Sequence, residues 1–515
     1  MESMLQATQH SLRVMLRDHL SAGCMVDYAT GSMVYADLLE ESGLDAAAAR
    51  RRLKAITVRA PGLRWPRPGL LPGLSAHQVA ELRKATCRAF GLLVGTPGTG
   101  KTYATGALVA ELCRTVGVEQ IAVCAPTGKA AVRISEAMAS HGAAIQAKTI
   151  HSLLEIGRNG HDGKGWGFLR NRHNCLDQKI IIVDEASMLD TSLLASLLDA
   201  CAPGTHMLLV GDPNQLPPVG HGAPLRDLIA AGVPCGHLTE VRRNAGLIVQ
   251  ACAQIRQGLP FEVGPPGNLE VEERTTPEAQ AGCLESVIDR LRSAISGPGG
   301  GDLDPVEDIQ IITAVNRNGL LSRDSLNKQL QAQLNPNGDG HTGNPFRLGD
   351  KVICLRNGTY QQDPDSIDDE EETNDPNPCC WVANGEMGRV VEVRPRQVSI
   401  VFSKPNRHIL VPIGRSSGGD QDEAGGGSDF ELGYAITGHK SQGSQWPVVI
   451  VMLDASPGAA RVAGREWLYT AISRAEKHCV LVGRQAVAHQ MAKRPALESR
   501  LTFLRELLTS GSGSV

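Results

Sequence analysis

The string Gly95-Thr96-Pro97-Gly98-Thr99-Gly100-Lys101-Thr102 fits the pattern G-x-x-x-x-G-K-[ST]. Phosphate chemistry needs what this spacing supplies: glycines that let backbone amides close on an anion, a lysine that reaches the outer phosphates, and a hydroxyl for a magnesium shell. The pattern therefore reads as the phosphate-binding loop of an NTPase. Upstream, Ala89-Phe90-Gly91-Leu92-Leu93-Val94 is an apolar run suited to a buried strand. Downstream, Tyr103 to Val116 can form a helix whose first amides face the phosphates. Gly95, Thr96, Pro97, Gly98, Thr99, Gly100, Lys101, Thr102 and Tyr103 are the candidate nucleotide-binding residues.

Other apolar runs end in residues that complement such a loop. Lys179-Ile180-Ile181-Ile182-Val183 leads into Asp184-Glu185, and this strand should be central and buried on both faces. Asp184 can share the magnesium shell with Thr102, while Glu185 can position and deprotonate the attacking water. Met207-Leu208-Leu209-Val210-Gly211 leads into a Pro-stiffened turn whose Gln215 can contact a γ-phosphate. Ile121-Ala122-Val123-Cys124 precedes a helix start where Pro126, Thr127 and Lys129 could grip a phosphodiester backbone. His151, beyond the next helix, joins that group. One helix before the loop, Ser75 is an N-cap candidate, and the Gln78 amide is placed to read the donor and acceptor edge of adenine.

These strands alternate with helix-compatible runs, which implies an α/β fold with a parallel sheet. Between Gly157 and Gly167 the turn formers Asn159-Gly160 and Asp162-Gly163 suggest a protruding hairpin, with Trp166 and Phe168 either wedging against a base pair or packing at its foot. From Phe346 to Phe430 the pattern becomes short alternating strands with turns at Asn357-Gly358 and Asn384-Gly385.

The bulk composition narrows the class. A chain of 515 residues with 42% hydrophobic content calls for roughly three to four domain-sized units. Its net charge of -4 conceals a run from Asp363 to Asp375 with eight acids and no Lys or Arg, without which the balance would be +4. Thirteen scattered cysteines lack any C-x-x-C pair, which suits reduced thiols better than a disulfide framework or zinc site. Apolar runs such as Val448 to Leu453 are too short to span a bilayer, and a soluble cytoplasmic protein without membrane contact is expected.

The ordered elements around Lys101, Asp184 and Gln215 resemble superfamily 1 DNA helicases, in particular their RecD-like, 5′-to-3′ branch. Further strings extend the resemblance. Leu238-Thr239-Glu240-Val241-Arg242-Arg243-Asn244 looks like an arginine-bearing motif, Tyr434 to Trp446 resembles the motif that couples DNA to the nucleotide cleft, and Trp467 to Ala475 matches the last motif. What the resemblance implies is an α/β architecture of two tandem RecA-like parallel-sheet lobes, with a β-hairpin pin insertion and a small SH3-like β-barrel insertion. The expected organisation is a helical and basic segment at 1–73; lobe 1A at 74–234 with the pin near 155–178; lobe 2A at 235–345 and 433–515; and barrel 2B at 346–432 with an acidic loop at 362–377. ATP and Mg2+ would bind between the lobes, with Arg243 and Arg474 as the arginines reaching the γ-phosphate. Thr437, His439 and Lys440 would contact DNA. The implied function is an ATP-dependent DNA helicase moving 5′-to-3′ on single-stranded DNA as a monomeric motor, its substrates including a duplex with a 5′ tail. The alternatives are a motor subunit of a larger recombination, conjugation or CRISPR-type complex, and a DNA-stimulated ATPase switch that remodels protein partners without unwinding.

Overall fold

A computed structural model describes residues 47–48, 71, 73–159, 165–241, 246–264, 267–295, 303–363, 379–403, 406–413, 429–496 and 504. Outside the described residues lie Arg243, the acids from Asp365 to Asp375, the Gly-rich stretch from Ser416 to Ser428, the hairpin tip at 160–164 and nearly all of the segment 1–73. The chain divides into two compact units, the first holding one parallel sheet and the second holding the other two large sheets.

In the first unit the strands are β1 (Phe90–Gly95), β2 (Ile121–Ala125), β3 (Lys148–Thr149), β4 (Ile156–Asn159), β5 (Gly165–Phe168), β6 (Ile180–Val183), β7 (His206–Gly211) and β8 (Cys235–Leu238). Six of them form a sheet of order β3-β2-β6-β7-β1-β8, every pairing parallel. The expected doubly buried strand is β6, all four of whose residues are buried. Alternation divides the strands between two cores: Phe90, Leu92, Ile181, Val183, Met207 and Leu209 face one, while Leu93, Ile180, Ile182, Leu208 and Val210 face the other. Helices α1 (Ala76–Ala85), α2 (Lys101–Val116) and α3 (Gly128–Ser140) connect or flank these strands. Because the sheet is parallel, the loops after β1, β2, β6 and β7 all leave from one edge, where ligands bind in folds of this class.

The expected hairpin is present as β4 and β5, paired antiparallel from Ile156↔Phe168 to Asn159↔Gly165. The expected lobe boundary at 234/235 needs correction, because β8 pairs with β1 and completes the first sheet. Its four residues are too few and too mixed for periodicity to assign, and its place comes from parallel pairing with a strand some 140 residues earlier.

The second unit begins with β9 (Leu269–Glu272) and β10 (Ile309–Thr313). Next come β11 (Lys351–Cys354), β12 (Gly358–Gln362), β13 (Cys379–Val382), β14 (Met387–Arg394), β15 (Gln397–Ser403), β16 (Asn406–Pro412) and β17 (Phe430–Leu432), which form a seven-stranded antiparallel sheet of order β13-β12-β16-β15-β14-β11-β17. The chain then returns through β18 (Ala435–Thr437), β19 (Trp446–Met452) and β20 (Ala475–Val482) to complete a parallel sheet of order β18-β10-β19-β20-β9. The Asp350 carboxylate helps tie the inserted sheet to the parallel one. Asp350 accepts hydrogen bonds from Gln331 Nε2 (2.5 Å), Asn335 Nδ2 (2.8 Å), Tyr434 Oη (3.0 Å) and its own loop at Arg347 N (2.7 Å). A buried charge satisfied four times over makes a stiff joint. Among the described residues no helix is long and apolar enough to cross a membrane.

Candidate nucleotide and nucleic-acid sites

The phosphate loop joins β1 to α2 as expected, with the helix starting at Lys101, two residues before Tyr103. Gly100 caps α2 in the left-handed region at φ 80°, a conformation that favours glycine, and a Cβ there would lie 2.8 Å from Gln78 Nε2, which would have to shift. The loop is braced from within: Thr99 Oγ1 donates to Thr96 O at 2.7 Å, and Lys101 Nζ donates to Gly95 O (2.7 Å) and Thr96 O (3.3 Å). Tyr103, at the exposed start of α2, packs edge-on to the His141 ring at 4.4 Å.

Gln78, expected to read adenine, makes two bonds within the protein. Its Oε1 accepts from Ser75 N at 3.2 Å, closing a capping box on α1, and its Nε2 donates to Thr99 O at 3.3 Å. The side chain is 1% exposed. Both ends of the amide are engaged, and through Thr99 O the side chain braces the phosphate loop.

Asp184 and Glu185 leave the carboxyl end of β6 toward the loop. Thr102 Oγ1 donates to Asp184 Oδ2 at 3.3 Å, bringing together the two residues expected to share a magnesium shell across 82 positions of sequence. Burial, aided by the adjacent Glu185 carboxylate, pushes the Asp184 carboxyl up to about 6. A carboxylate disfavoured in this way gains from a nearby cation. Glu185 adopts a left-handed conformation at φ 51°, ψ 40°, rare for a residue with a Cβ, and its amide donates to Asp184 Oδ1 at 2.9 Å. Glu185 Oε2, Ser187 Oγ and Gln215 Oε1 are buried atoms that make no hydrogen bond. Three acceptors from the turns after β6 and β7 thus await polar partners, and the donor set suits a phosphate-bound magnesium held by one hydroxyl, one carboxylate and water. Among the described residues no group of three or more His, Cys, Asp or Glu side chains could hold a metal ion. Ser187 escaped the sequence reading; its only signal was a hydroxyl two residues past Glu185.

Other candidates are dispersed. Pro126 and Thr127 lie between β2 and α3 and Lys129 in the first turn of α3, all three half-buried. His151, on the short helix Ile150–Leu154, is exposed and stacks obliquely on Phe168 of β5 at 5.6 Å. In the second unit, buried Thr437 ends β18, with half-buried His439 and Lys440 in the following turn. Arg474 is 2% exposed and bonded inside its own unit, donating to Thr470 O (3.1 Å), Ser444 O (3.2 Å) and Ser473 Oγ (3.0 Å). Arg243 lies outside the described residues.

Comparison with known proteins finds two domain models. Residues 73–263 match an AAA domain and residues 432–482 a UvrD-like helicase C-terminal domain. The chain is 32% identical over 444 residues to the ATP-dependent RecD2 DNA helicase of Deinococcus radiodurans, covering 84% of this chain and 52% of that protein. The RecBCD enzyme subunit RecD of Mycobacterium tuberculosis is 29% identical over 443 residues, or 80% of this chain and 70% of that one. That of Mycolicibacterium smegmatis is 28% identical over 463 residues, or 84% and 74%. The chain therefore spans about half the length of the RecD2 relative. Over most of its length the chain is thus similar in sequence to the ATP-dependent RecD2 DNA helicase and to RecD subunits of the RecBCD enzyme, and it matches models of an AAA domain and of a UvrD-like helicase C-terminal domain.

Proposed function

We propose that the chain is an ATP-dependent DNA helicase that moves along single-stranded DNA, 5′-to-3′, and separates duplexes. The observation that carries this is the approach of Thr102 to Asp184 beneath the phosphate loop, on a chain similar in sequence to helicases. Lys101 and the first amides of α2 neutralise the triphosphate, and Glu185 takes the proton of the attacking water. Gln215, in the turn after the neighbouring strand β7, is assigned to sense the outer phosphate. Magnesium, held by Thr102 and Asp184, would supply charge neutralisation between the phosphates. Arg243 and Arg474 are assigned to the charge that develops on the γ-phosphate; for Arg474 this requires exchange of its present hydrogen bonds, which makes it a group that engages only in the reactive state.

The two parallel sheets are read as RecA-like lobes, the seven-stranded antiparallel sheet as the SH3-like barrel, and β4-β5 as the strand-separating pin. Pro126, Thr127, Lys129, His151, Thr437, His439 and Lys440 are read as the strand-gripping residues, acting mainly on phosphates and so with little sequence preference. Strand displacement on 5′-tailed, 3′-tailed and blunt duplexes, measured beside ATP turnover, tests the proposal. Opening of 5′-tailed substrates is expected. Opening of 3′-tailed substrates alone would overturn the polarity, and DNA-stimulated turnover with no displacement would favour the partner-remodelling switch. A second reading, a motor subunit within a larger complex, has one support: several relatives are RecBCD enzyme subunits. Full helicase activity of the isolated chain would argue against an obligate partner.

A further inference from the structure

Lys440 has a partner that sequence spacing does not suggest. Its Nζ donates to Asn384 Oδ1 at 2.6 Å, although Asn384 belongs to the turn between β13 and β14 of the antiparallel sheet. That turn is fixed from several sides. Asn384 N donates to Asn357 Oδ1 on a neighbouring turn at 2.8 Å, and Ala383 N donates to Glu386 Oε1 at 2.8 Å. Arg407 binds both Glu386 and the carbonyl of Trp381. The acceptor offered to Lys440 is therefore held at a set position, and the sheet that carries it is anchored at its root by Asp350.

The Lys440 ammonium is half-buried, and among the described residues no carboxylate stands within ion-pair distance of it. Glu431, the carboxylate whose charge acts on Lys440, is paired with Arg323 at 2.8 Å. Burial pushes the Lys440 ammonium below its ordinary range. A partly desolvated cation without a counter-ion carries a cost that an incoming anion offsets. Of its three N–H donors one is given to Asn384, and two remain.

We propose that Asn384 is a positioning residue which, through its hydrogen bond to Lys440 Nζ, holds that ammonium for a nucleic-acid phosphate, so that a turn of the inserted sheet is part of the grip on the strand. This rests on the reading of the chain as a DNA motor.

Binding of a dye-labelled oligothymidylate to the full chain, followed by anisotropy over roughly 50–200 mM salt, tests it. Lys440→Ala should weaken binding about tenfold and flatten the slope of log K against log salt by about 0.7, the increment for one phosphate contact on a single strand. Asn384→Ala should weaken binding about threefold in the wild-type background and leave it unchanged in the Lys440→Ala background. Asn384→Asp, which gives Lys440 a counter-ion in an isosteric side chain, should flatten the slope as Lys440→Ala does, and it carries the test if the alanine variant unfolds. Equal losses from Asn384→Ala with and without Lys440, or wild-type binding and slope in both Asn384 variants, would overturn the positioning role. A wild-type chain that binds no single strand would overturn the DNA reading itself, a result distinct from either.

Discussion

Replacing Lys351 by methionine should stabilise the second unit at neutral pH, and the gain should disappear in alkali. Lys351 opens β11 and is 2% exposed, with Nζ donating only to Ile309 O at 3.2 Å. Burial pushes its ammonium down from 10.5 to about 8, against the pull of Glu307, Asp304 and Asp308. At roughly 1.4 kcal/mol for each tenfold change in proton affinity, the drop from 10.5 to about 8 puts the cost of keeping the charge on the order of 3 kcal/mol. Methionine removes that cost but leaves Ile309 O without its donor, a loss of about 1–2 kcal/mol, so the net gain should be about 1–2 kcal/mol. The sign in pH follows from linkage. Below about 8 both folded and unfolded chains hold the proton and the wild type bears the whole cost; between 8 and 10.5 the unfolded chain binds more protons, so wild-type stability climbs with pH. Tyr360 and Tyr434, whose phenols burial pushes upward, stay protonated through this window. Urea unfolding is followed by the fluorescence of buried Trp446 and Trp467, with Trp65 and Trp166 of the first unit replaced by phenylalanine in both backgrounds so that the signal reports the second unit. The variant should lead near pH 7 and trail near pH 10. Parallel curves, or a variant less stable at both ends, would show that the ammonium is stabilised by its acidic neighbours and that the reasoning from burial is wrong.

Three further substitutions test the nucleotide site and the second sheet. Gln78→Ala removes a capping box and the bond to Thr99 O, so ATP and GTP should both bind a few-fold more weakly, by equal factors, with about 1 kcal/mol of lost stability; a loss confined to ATP would return the amide to the base-reading role. Glu185→Gln should bind ATP normally and lower turnover by about 10²–10⁴, and undiminished turnover in a steady-state assay would remove Glu185 as the base. Gly438→Ala would place a Cβ 2.4 Å from Trp467 Nε1, and overpacking of about 1–3 kcal/mol should lower the urea midpoint of the second unit. An unshifted midpoint would mean that the indole has room to move.

The sequence made the nucleotide site readable because its parts are local. Gly95 to Thr102 is contiguous, and Asp184 and Gln215 each follow an apolar strand whose parallel pairing can be inferred from alternation with helices. The two buried faces of β6 were equally plain from Ile180 to Val183. What stayed hidden depended on long-range pairing or on where a side chain turns. The strand Cys235–Leu238 has no periodicity that assigns it to one sheet over another, and only its register with β1 does so. Asn384-Gly385 announces a turn, and nothing in that dipeptide says that the asparagine oxygen meets Lys440, 56 positions later.

The hidden contacts share a chemistry, and the reason lies in how motifs come to be recognised. A motif string records residues that meet a ligand, so any amide within or near it invites a ligand-facing role. Yet an amide is uncharged and carries both donor and acceptor, which also makes it the side chain best able to satisfy backbone without adding charge to a core. Gln78 closes the cap of α1 and holds Thr99 O; Asn327 donates to Ala435 O at 2.9 Å and accepts from Ala435 N at 2.8 Å, completing the open edge of β18; Gln310 donates to Gly433 O (3.1 Å) and Tyr434 O (3.0 Å). Each braces the backbone on which a charged or hydroxyl group stands: Lys101 and Thr102 in the first unit, Thr437 and Lys440 in the second. Removing the charge deletes a contact, whereas removing the amide loosens the frame around it. The two kinds of residue should therefore separate experimentally, the first changing salt dependence or turnover and the second changing affinity for every ligand by a common factor.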